Sequence, residues 1–228
     1  MSTTELLPTD QPKGRTWVRR ASAATGALFV FLTFAGNTLT ESVIEPTLEP
    51  SPAKALEDFT VKAASGTAQA GLALELLGFV SLTVFIGVFL DTLRQRHALG
   101  LPGLVAALAA TMMISVKLAS AAPYLAGLAH HGVLTPDTAL ALSLTNGAGF
   151  VLCWLPFAIF VTAAALALHH AGMLGRLGTA AGLLIGSLGI LAALWGVVDM
   201  ASAMPVPFLL GCLWTLAASL KIAAVIQN

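Results

Sequence analysis

Six long apolar stretches limit what this 228-residue chain can fold into more than any other feature of its sequence. They cover roughly residues 21–40, 67–91, 101–126, 138–168, 178–200 and 206–226. An α-helix needs about 20 mostly apolar residues to cross the hydrocarbon core of a bilayer, so each stretch is long enough. The composition agrees, since 57% of the residues are hydrophobic and only 10% are charged. The sequence therefore predicts an all-α protein, a polytopic bundle of six transmembrane helices over residues 21–226.

The fourth stretch, residues 138–168, is longer than a bilayer requires and contains Pro156. Proline has no backbone N–H, and its ring clashes with the preceding helical turn, so it kinks or breaks a helix. We expect one kinked or tilted span here rather than two separate spans.

The distribution of basic residues predicts the orientation of the bundle. Lys54 and Lys62 lie in the first connection, which also carries five acidic residues, whereas eight basic residues fall on the other side. Those eight are Lys13, Arg15, Arg19, Arg20, Arg94, Arg96, Arg176 and Lys221. Because lysine and arginine concentrate on the cytoplasmic side of membrane proteins, both termini are predicted in the cytoplasm, beneath the cell membrane. The formal net charge is zero, so no basic excess points to a nucleic acid partner.

Two polar segments flank the first span. Residues 1–20 include Pro8 and Pro12 and have no helical period, which predicts a disordered cytoplasmic tail. The external loop, residues 41–66, contains an amphipathic piece, residues 52–64. We interpret this piece either as a lid or interfacial helix lying on the membrane, or as a tether with a solvated charged face.

Glu75 and Lys117 are charged residues within apolar stretches. Counted at 1.5 Å per residue, both lie about eight or nine residues from the external end of their spans, hence at the same depth. Their spans are consecutive and joined by a short turn, so they are expected to be antiparallel neighbours. A lone charge at this depth costs about 2.5–3.5 kcal/mol, which predicts that the two residues pair. Gly71 and Gly78 flank Glu75 and are predicted to let the Lys117 helix approach closely.

Further polar residues lie toward the external ends of the spans. Asn37 and Asn146 lie there, the Lys117 face continues through Ser120 and Tyr124, and Asp199 closes the fifth stretch. If these faces converge, they form a polar pocket open to the external side and closed below by apolar residues. The candidate ligand-binding residues are Glu75, Lys117, Tyr124, Asn146 and Asp199, and the candidate catalytic acids are Glu75 and Asp199. The alternative is that the charged pair only holds two helices together and that Asp199 is a hydrated loop residue.

Several other signals predict packing. Gly178, Gly182 and Gly186 repeat every four residues, which favours close helix packing within the bundle, with a homodimer face as the alternative. The histidine pairs at 130–131 and 169–170 lack a third ligand at metal-binding spacing, so neither a metal nor a cofactor is predicted. Both cysteines lie in apolar stretches and are interpreted as small packing residues.

Two segments resemble a known family. They are LELLGFVSLTVFIGVFLDTLRQRH, which covers the second span and its basic exit, and HHAGMLGRLGTAAGLLIGSLGIL, in which a basic turn leads into the glycine-rich fifth span. In these segments and in its topology the chain resembles the six-span bacterial membrane proteins of domain-of-unknown-function family 4386. The resemblance implies a fold and a bacterial cytoplasmic membrane, and it implies no activity.

Three functions are compatible with these features. The first is a membrane protein that binds or moves a small amphiphilic molecule or ion through the predicted pocket. The second is an intramembrane enzyme that modifies or cyclises a lipid or isoprenoid by acid catalysis, with Phe150, Trp154, Trp195 or Trp214 sheltering a cation. The third is an accessory or immunity subunit that docks through the glycines. A salt-bridged Glu75 would be ionised and a poor acid, which makes Asp199 the better acid candidate.

Overall fold

The computed structural model describes residues 13–41, 51–199 and 205–226, and within these ranges the chain is helical, without strands. The helices are α1 (Lys13–Glu41), α2 (Pro52–Ser65), α3 (Thr67–Gln95), α4 (Leu101–Ala129), α5 (Pro136–Leu152), α6 (Trp154–His170), α7 (Arg176–Val198) and α8 (Val206–Val225). Among the described residues six segments are long and apolar enough to cross a membrane: α1, α3, α4, α5 with α6, α7 and α8. The all-helical prediction is confirmed, and the six segments are consistent with a multi-pass membrane protein.

Helix α1 begins at Lys13, earlier than the predicted start of the first span. The prediction of a disordered tail is therefore wrong for residues 13–20, because the basic turn before the apolar stretch continues the same helix. Residues 1–12 of that predicted tail lie outside the described residues, as do residues 42–50 of the external loop.

The fourth apolar segment is interrupted at Cys153, between α5 and α6. Pro156 has no N–H to donate to the carbonyl of Leu152, so the helical ladder is interrupted here. Bonds on either side continue, because the N–H of Cys153 donates to Gly149 O at 3.0 Å and that of Phe157 donates to Cys153 O at 3.2 Å. Helices α5 and α6 thus form one long apolar segment, as predicted, with an interruption one turn before Pro156.

The spans close into a bundle around α6. Helix α1 packs between α3 and α8, α4 packs on α3, α5 and α6, and α7 packs on α6 and α8. Phe157, Phe160 and Val161 of α6 are almost completely buried, because this helix contacts neighbours on most of its circumference.

Basic residues gather at one end of the bundle, which we call the basic end. There Arg19 of α1 lies 3.2 Å from the carboxylate of Asp91 in α3. The guanidinium of Arg96, just after α3, donates to the carbonyl of Ala171, just after α6, at 3.4 Å. Helix α2 and the α4–α5 connection lie at the opposite end. This segregation is the pattern from which the cytoplasmic termini were predicted.

Gly71 and Gly78 bring α3 close to α1 rather than to α4. A Cβ added to Gly71 would contact Thr40 and would lie 2.6 Å from the carbonyl oxygen of Gly36, and one added to Gly78 would lie 3.3 Å from Thr33 Oγ1. The prediction that these glycines admit the Lys117 helix is wrong. Helical spacing placed both glycines near Glu75, but spacing alone could not tell which neighbour they face.

The glycines of α7 pack inside the bundle. A Cβ on Gly182 would lie 2.6 Å from Ala165 Cβ, and one on Gly186 would contact Thr162 and lie 2.9 Å from Ala158 O, all in α6. The indole N–H of Trp214 in α8 donates to Gly178 O at 3.1 Å. Internal packing is therefore confirmed for this glycine stripe, and the homodimer that it also allowed stays a prediction.

Candidate functional site

Glu75 and Lys117 meet inside the bundle. Lys117 Nζ of α4 lies 3.7 Å from Glu75 Oε2 of α3. Glu75 is only 3% exposed and Lys117 only 6% exposed, so the pair is withdrawn from the surface. The charges partly offset each other's desolvation, which explains how both are tolerated inside an apolar bundle. This pairing was predicted from depth along the two spans and is confirmed.

Lys117 also contacts an aromatic ring of a third helix. Its Nζ lies 5.3 Å from the ring centroid of Phe150 in α5, within the range of a cation–π interaction. The ring of Phe150 is held edge-on by Trp154 and Phe208, at centroid distances of 5.6 and 5.5 Å. The ammonium group therefore has two stabilising neighbours, a carboxylate and an aromatic face.

A groove of about 200 Å³ runs between α3 and α4 beside the pair, and we call it the α3–α4 groove. Its lining residues are Leu72, Glu75, Leu76, Phe79, Leu118, Ala121, Ala122 and Leu125. Glu75 is the only polar side chain among them. Leu76 and Leu125, at the rim, are 46% and 42% exposed. Because these leucines lie within the long apolar helices α3 and α4, the groove opens on the side of the bundle.

Two further cavities lie on the other side of the pair. A small inner cavity of about 20 Å³ is lined by both members of the pair, and a cavity of about 270 Å³ lies between α1 and α8. Thr33, Asn37, Phe150 and Phe208 line both. The hydroxyl of Thr33 is enclosed and has no hydrogen-bond partner among the described residues. The hydrogen-bonding side chains that line these two cavities are therefore those of Thr33, Asn37 and Thr38, together with the two members of the pair.

Helix α2 folds back over the ends of α3, α4 and α5. Its Phe59 is fully buried, and the ring lies 4.9 Å from that of Tyr124 in α4. A Cβ on Gly127 would lie 2.8 Å from Phe59, so the glycine leaves room for the ring. The predicted amphipathic helix is confirmed, and its packed position contradicts a tether with a solvated charged face.

A second ion pair joins two residues that lie one turn apart within α2. Lys62 Nζ is 3.1 Å from Asp58 Oδ2, and both side chains are largely enclosed. Burial raises the pKa of Asp58, while the charge of Lys62 and its hydrogen bond partly lower it. Sequence analysis counted Lys62 among the charges of the external loop without predicting that its side chain would be covered.

The predicted ligand residues do not all converge. Tyr124 lies beneath α2, and Asn146 lies on the face of α5 that packs on α4 through Gly149 and Ser120. Asp199 ends α7 and is not among the lining residues of the three cavities near the pair. Among the described residues, the five predicted ligand residues therefore do not line one common pocket, and α2 covers the ends of α3, α4 and α5.

Several residues around the pair escaped the sequence analysis. Thr33, Cys153 and Phe208 line the inner cavity, but none stands out from an apolar stretch. A signal existed in the first span, where Thr33, Gly36, Asn37 and Thr40 follow helical spacing and form one small, polar face. That face packs on α3 at the level of Glu75, since a Cβ on Gly36 would lie 2.8 Å from Glu75 Cγ.

The aromatic residues proposed to shelter a cation fall into two groups. Phe150 and Trp154 lie beside the charged pair. Trp195 is 58% exposed, and Trp214 contacts Gly178 in the half nearer the basic end. The described residues contain no group of three histidine, cysteine or acidic residues placed to hold a metal ion.

Comparisons with protein-family models, curated proteins and solved structures found no match for this chain. The functional inference below therefore depends on the geometry of the site.

Proposed function

We propose that this protein is a multi-pass protein of the bacterial cell membrane, with both termini in the cytoplasm, that binds a small amphiphilic molecule beside Glu75 and Lys117. One observation carries the proposal: a buried ion pair borders an apolar groove that opens between exposed leucines. An apolar body would fill the groove while a polar head group reaches the pair.

The size of the groove suits such a ligand. A dry cavity of about 150 Å³ lined by apolar side chains can hold benzene. At about 200 Å³, the α3–α4 groove has room for a ring or a short alkyl segment. A longer tail would continue past the rim into the bilayer, so the groove need not enclose the whole ligand.

The empty space beside the ion pair argues against a purely structural role for it. Two helices held together by a salt bridge would pack best with apolar side chains filling the space beside it. Here a space of about 200 Å³ remains beside Glu75 in the groove, and a smaller one of about 20 Å³ adjoins both members of the pair. The arrangement therefore favours a ligand that enters from the membrane over a pair that only holds two helices together.

An intramembrane enzyme is the second candidate, and the aromatic cluster favours it. Phe150, Trp154 and Phe208 form a set of rings next to a carboxylate, an arrangement that can stabilise a developing carbocation. Acid catalysis would also require a protonated carboxyl group at the substrate. Asp199, the better acid candidate by sequence, lines none of the three cavities. Ligand binding is accordingly the primary proposal.

Native mass spectrometry of the gently extracted protein tests the proposal. We expect a small non-phospholipid molecule to be retained by the wild type. Ala122→Phe should abolish its retention, because Ala122 lines the groove and the larger ring would fill it. Ala119→Phe is the matched control, since Ala119 is exposed on the same helix and does not line the groove. Wild-type protein that carries no such molecule, or equal retention by both variants, would contradict the proposal.

A further inference from the structure

We infer that the amphiphile is a cation, an alkylammonium-type molecule whose charged head binds Glu75 from the α3–α4 groove. This inference rests on the proposed function and specifies the chemistry of its ligand. The asymmetry of the ion pair carries it: Glu75 lines the groove, whereas Lys117 does not.

The two charges face different spaces. Glu75 lines both the groove and the inner cavity, and Lys117 lines only the inner cavity. A head group that enters from the membrane meets the carboxylate first, with the ammonium group of Lys117 behind it. An anionic head would approach a carboxylate at close range in a site of low dielectric, where repulsion is strong. A cationic head complements it.

The ammonium group of Lys117 can shift away from Glu75 when a ligand binds. Its Nζ already lies 5.3 Å from the ring centroid of Phe150, and Asn37 and Thr33 line the same inner cavity. These neighbours can stabilise the ammonium group while a second cation shares the carboxylate. The ammonium group of Lys117 thus competes with the ammonium head group of the ligand for the Glu75 carboxylate.

The groove walls select an apolar body. Apart from Glu75, the lining consists of leucine, alanine and phenylalanine side chains. A small inorganic cation would lose its hydration there and gain only one carboxylate, so the groove disfavours it. An alkylammonium ion buries its chain against these walls and places a single charge at the one acidic position.

Binding of matched ten-carbon probes to the full-length protein in phosphatidylcholine nanodiscs tests the inference. Radiolabelled decylammonium, decanol and decanoate share one chain and differ in head group, and binding to empty nanodiscs is subtracted from each. We expect decylammonium to bind saturably and about tenfold or more tighter than decanol, with decanoate weakest. Adding phosphatidylethanolamine then distinguishes a free amine from a phospholipid ammonium head group: we expect no competition, and competition would contradict a non-phospholipid ligand.

Variants of Glu75 and Lys117 test whether the preference for decylammonium depends on this ion pair. Glu75→Gln should remove the preference for decylammonium over decanol. Lys117→Met should strengthen decylammonium binding about tenfold, because it removes the competing ammonium group, and should leave decanol unchanged. The double variant Glu75→Gln with Lys117→Met keeps the net charge and should bind both probes equally.

The outcomes separate the two levels of the proposal. Preferred binding of decanoate, lost in Lys117→Met, would overturn the cationic head group but keep an amphiphile site. Equal binding of all three probes, if Ala122→Phe reduces it, would likewise overturn the cationic head group and keep an amphiphile site. If none of the probes binds, or if Ala122→Phe changes nothing, the proposed function fails with the inference. The wild-type probe series decides the head group even if one variant does not fold.

Discussion

Lys117 places its ammonium group 3.7 Å from Glu75 and 5.3 Å from the ring centroid of Phe150, so one side chain connects α3, α4 and α5. The contact between Lys117 and Glu75 is unusual because both side chains are charged and almost fully buried. Its strength and its purpose can be measured separately, through stability and through binding.

A double-mutant cycle measures the coupling of the pair. Glu75→Gln and Lys117→Met should each destabilise the purified protein by about 3 kcal/mol, since each leaves a buried charge without its counter-charge. The double variant should recover most of that loss, which thermal unfolding in detergent would report. Additive losses would show that the two groups do not interact energetically. Recovered stability together with lost ligand retention would separate binding from helix packing.

Close packing of α1 on α3 predicts a large effect of a single methyl group. Gly71→Ala places a Cβ against Thr40 and the Gly36 carbonyl, so it should destabilise the protein by about 1–3 kcal/mol. Gly87→Ala in the same helix is the control, because no atom lies within 4 Å of the added Cβ. It should be neutral or stabilising by up to about 1 kcal/mol, as alanine favours helix over glycine. Equal effects in thermal unfolding would argue against the described α1–α3 interface.

The docking of α2 depends on Phe59. Phe59→Ala removes a fully buried ring beside Tyr124 and should loosen α2 by about 3 kcal/mol. Hydrogen–deuterium exchange should then accelerate in α2 and leave α6 unchanged. Val61→Ala, a truncation of an exposed side chain in the same helix, should have little effect. Unchanged exchange in Phe59→Ala would mean that α2 is not held by this contact.

The raised pKa of Asp58 predicts that α2 docks more firmly in acid. Its folded-state pKa lies above the ordinary value of 3.8, so the docked state binds the proton more tightly than the undocked state. The penalty for burying the carboxylate is present at neutral pH and is lost as the pH falls through the folded-state pKa. Exchange in α2, corrected for intrinsic rates, should therefore slow as the pH falls from neutrality through the raised pKa of Asp58. Asp58→Asn should abolish this dependence, and Glu57→Gln, at an exposed position, should keep it.

Membrane orientation is tested by cysteine labelling in intact cells. Ser51→Cys should react with a membrane-impermeant maleimide from outside, because Ser51 is exposed at the start of α2. Gln95→Cys, exposed at the basic end, should react only after permeabilisation. The native Cys153 and Cys212 are buried and should contribute little background. The reverse pattern would place the basic end outside.

Much of the framework was predictable from local sequence. Apolar length indicated the spans, Pro156 indicated the bend in the fourth, and depth counting paired Glu75 with Lys117. Each of these inferences uses a property that acts within one helix or between consecutive helices. The helical start at Lys13 was missed because two prolines nearby and a polar composition resemble a tail.

The sequence by itself determined that this is an all-helical chain with six long apolar helical segments, because apolar length and helical periodicity are local properties. Only the tertiary structure decided which helix meets Gly71, that α2 covers the ends of α3, α4 and α5, and that Asp199 lines none of the three cavities near Glu75. Contacts between distant segments depend on side-chain packing over the whole bundle. Helical spacing identifies a face, and packing then selects the neighbour that covers it.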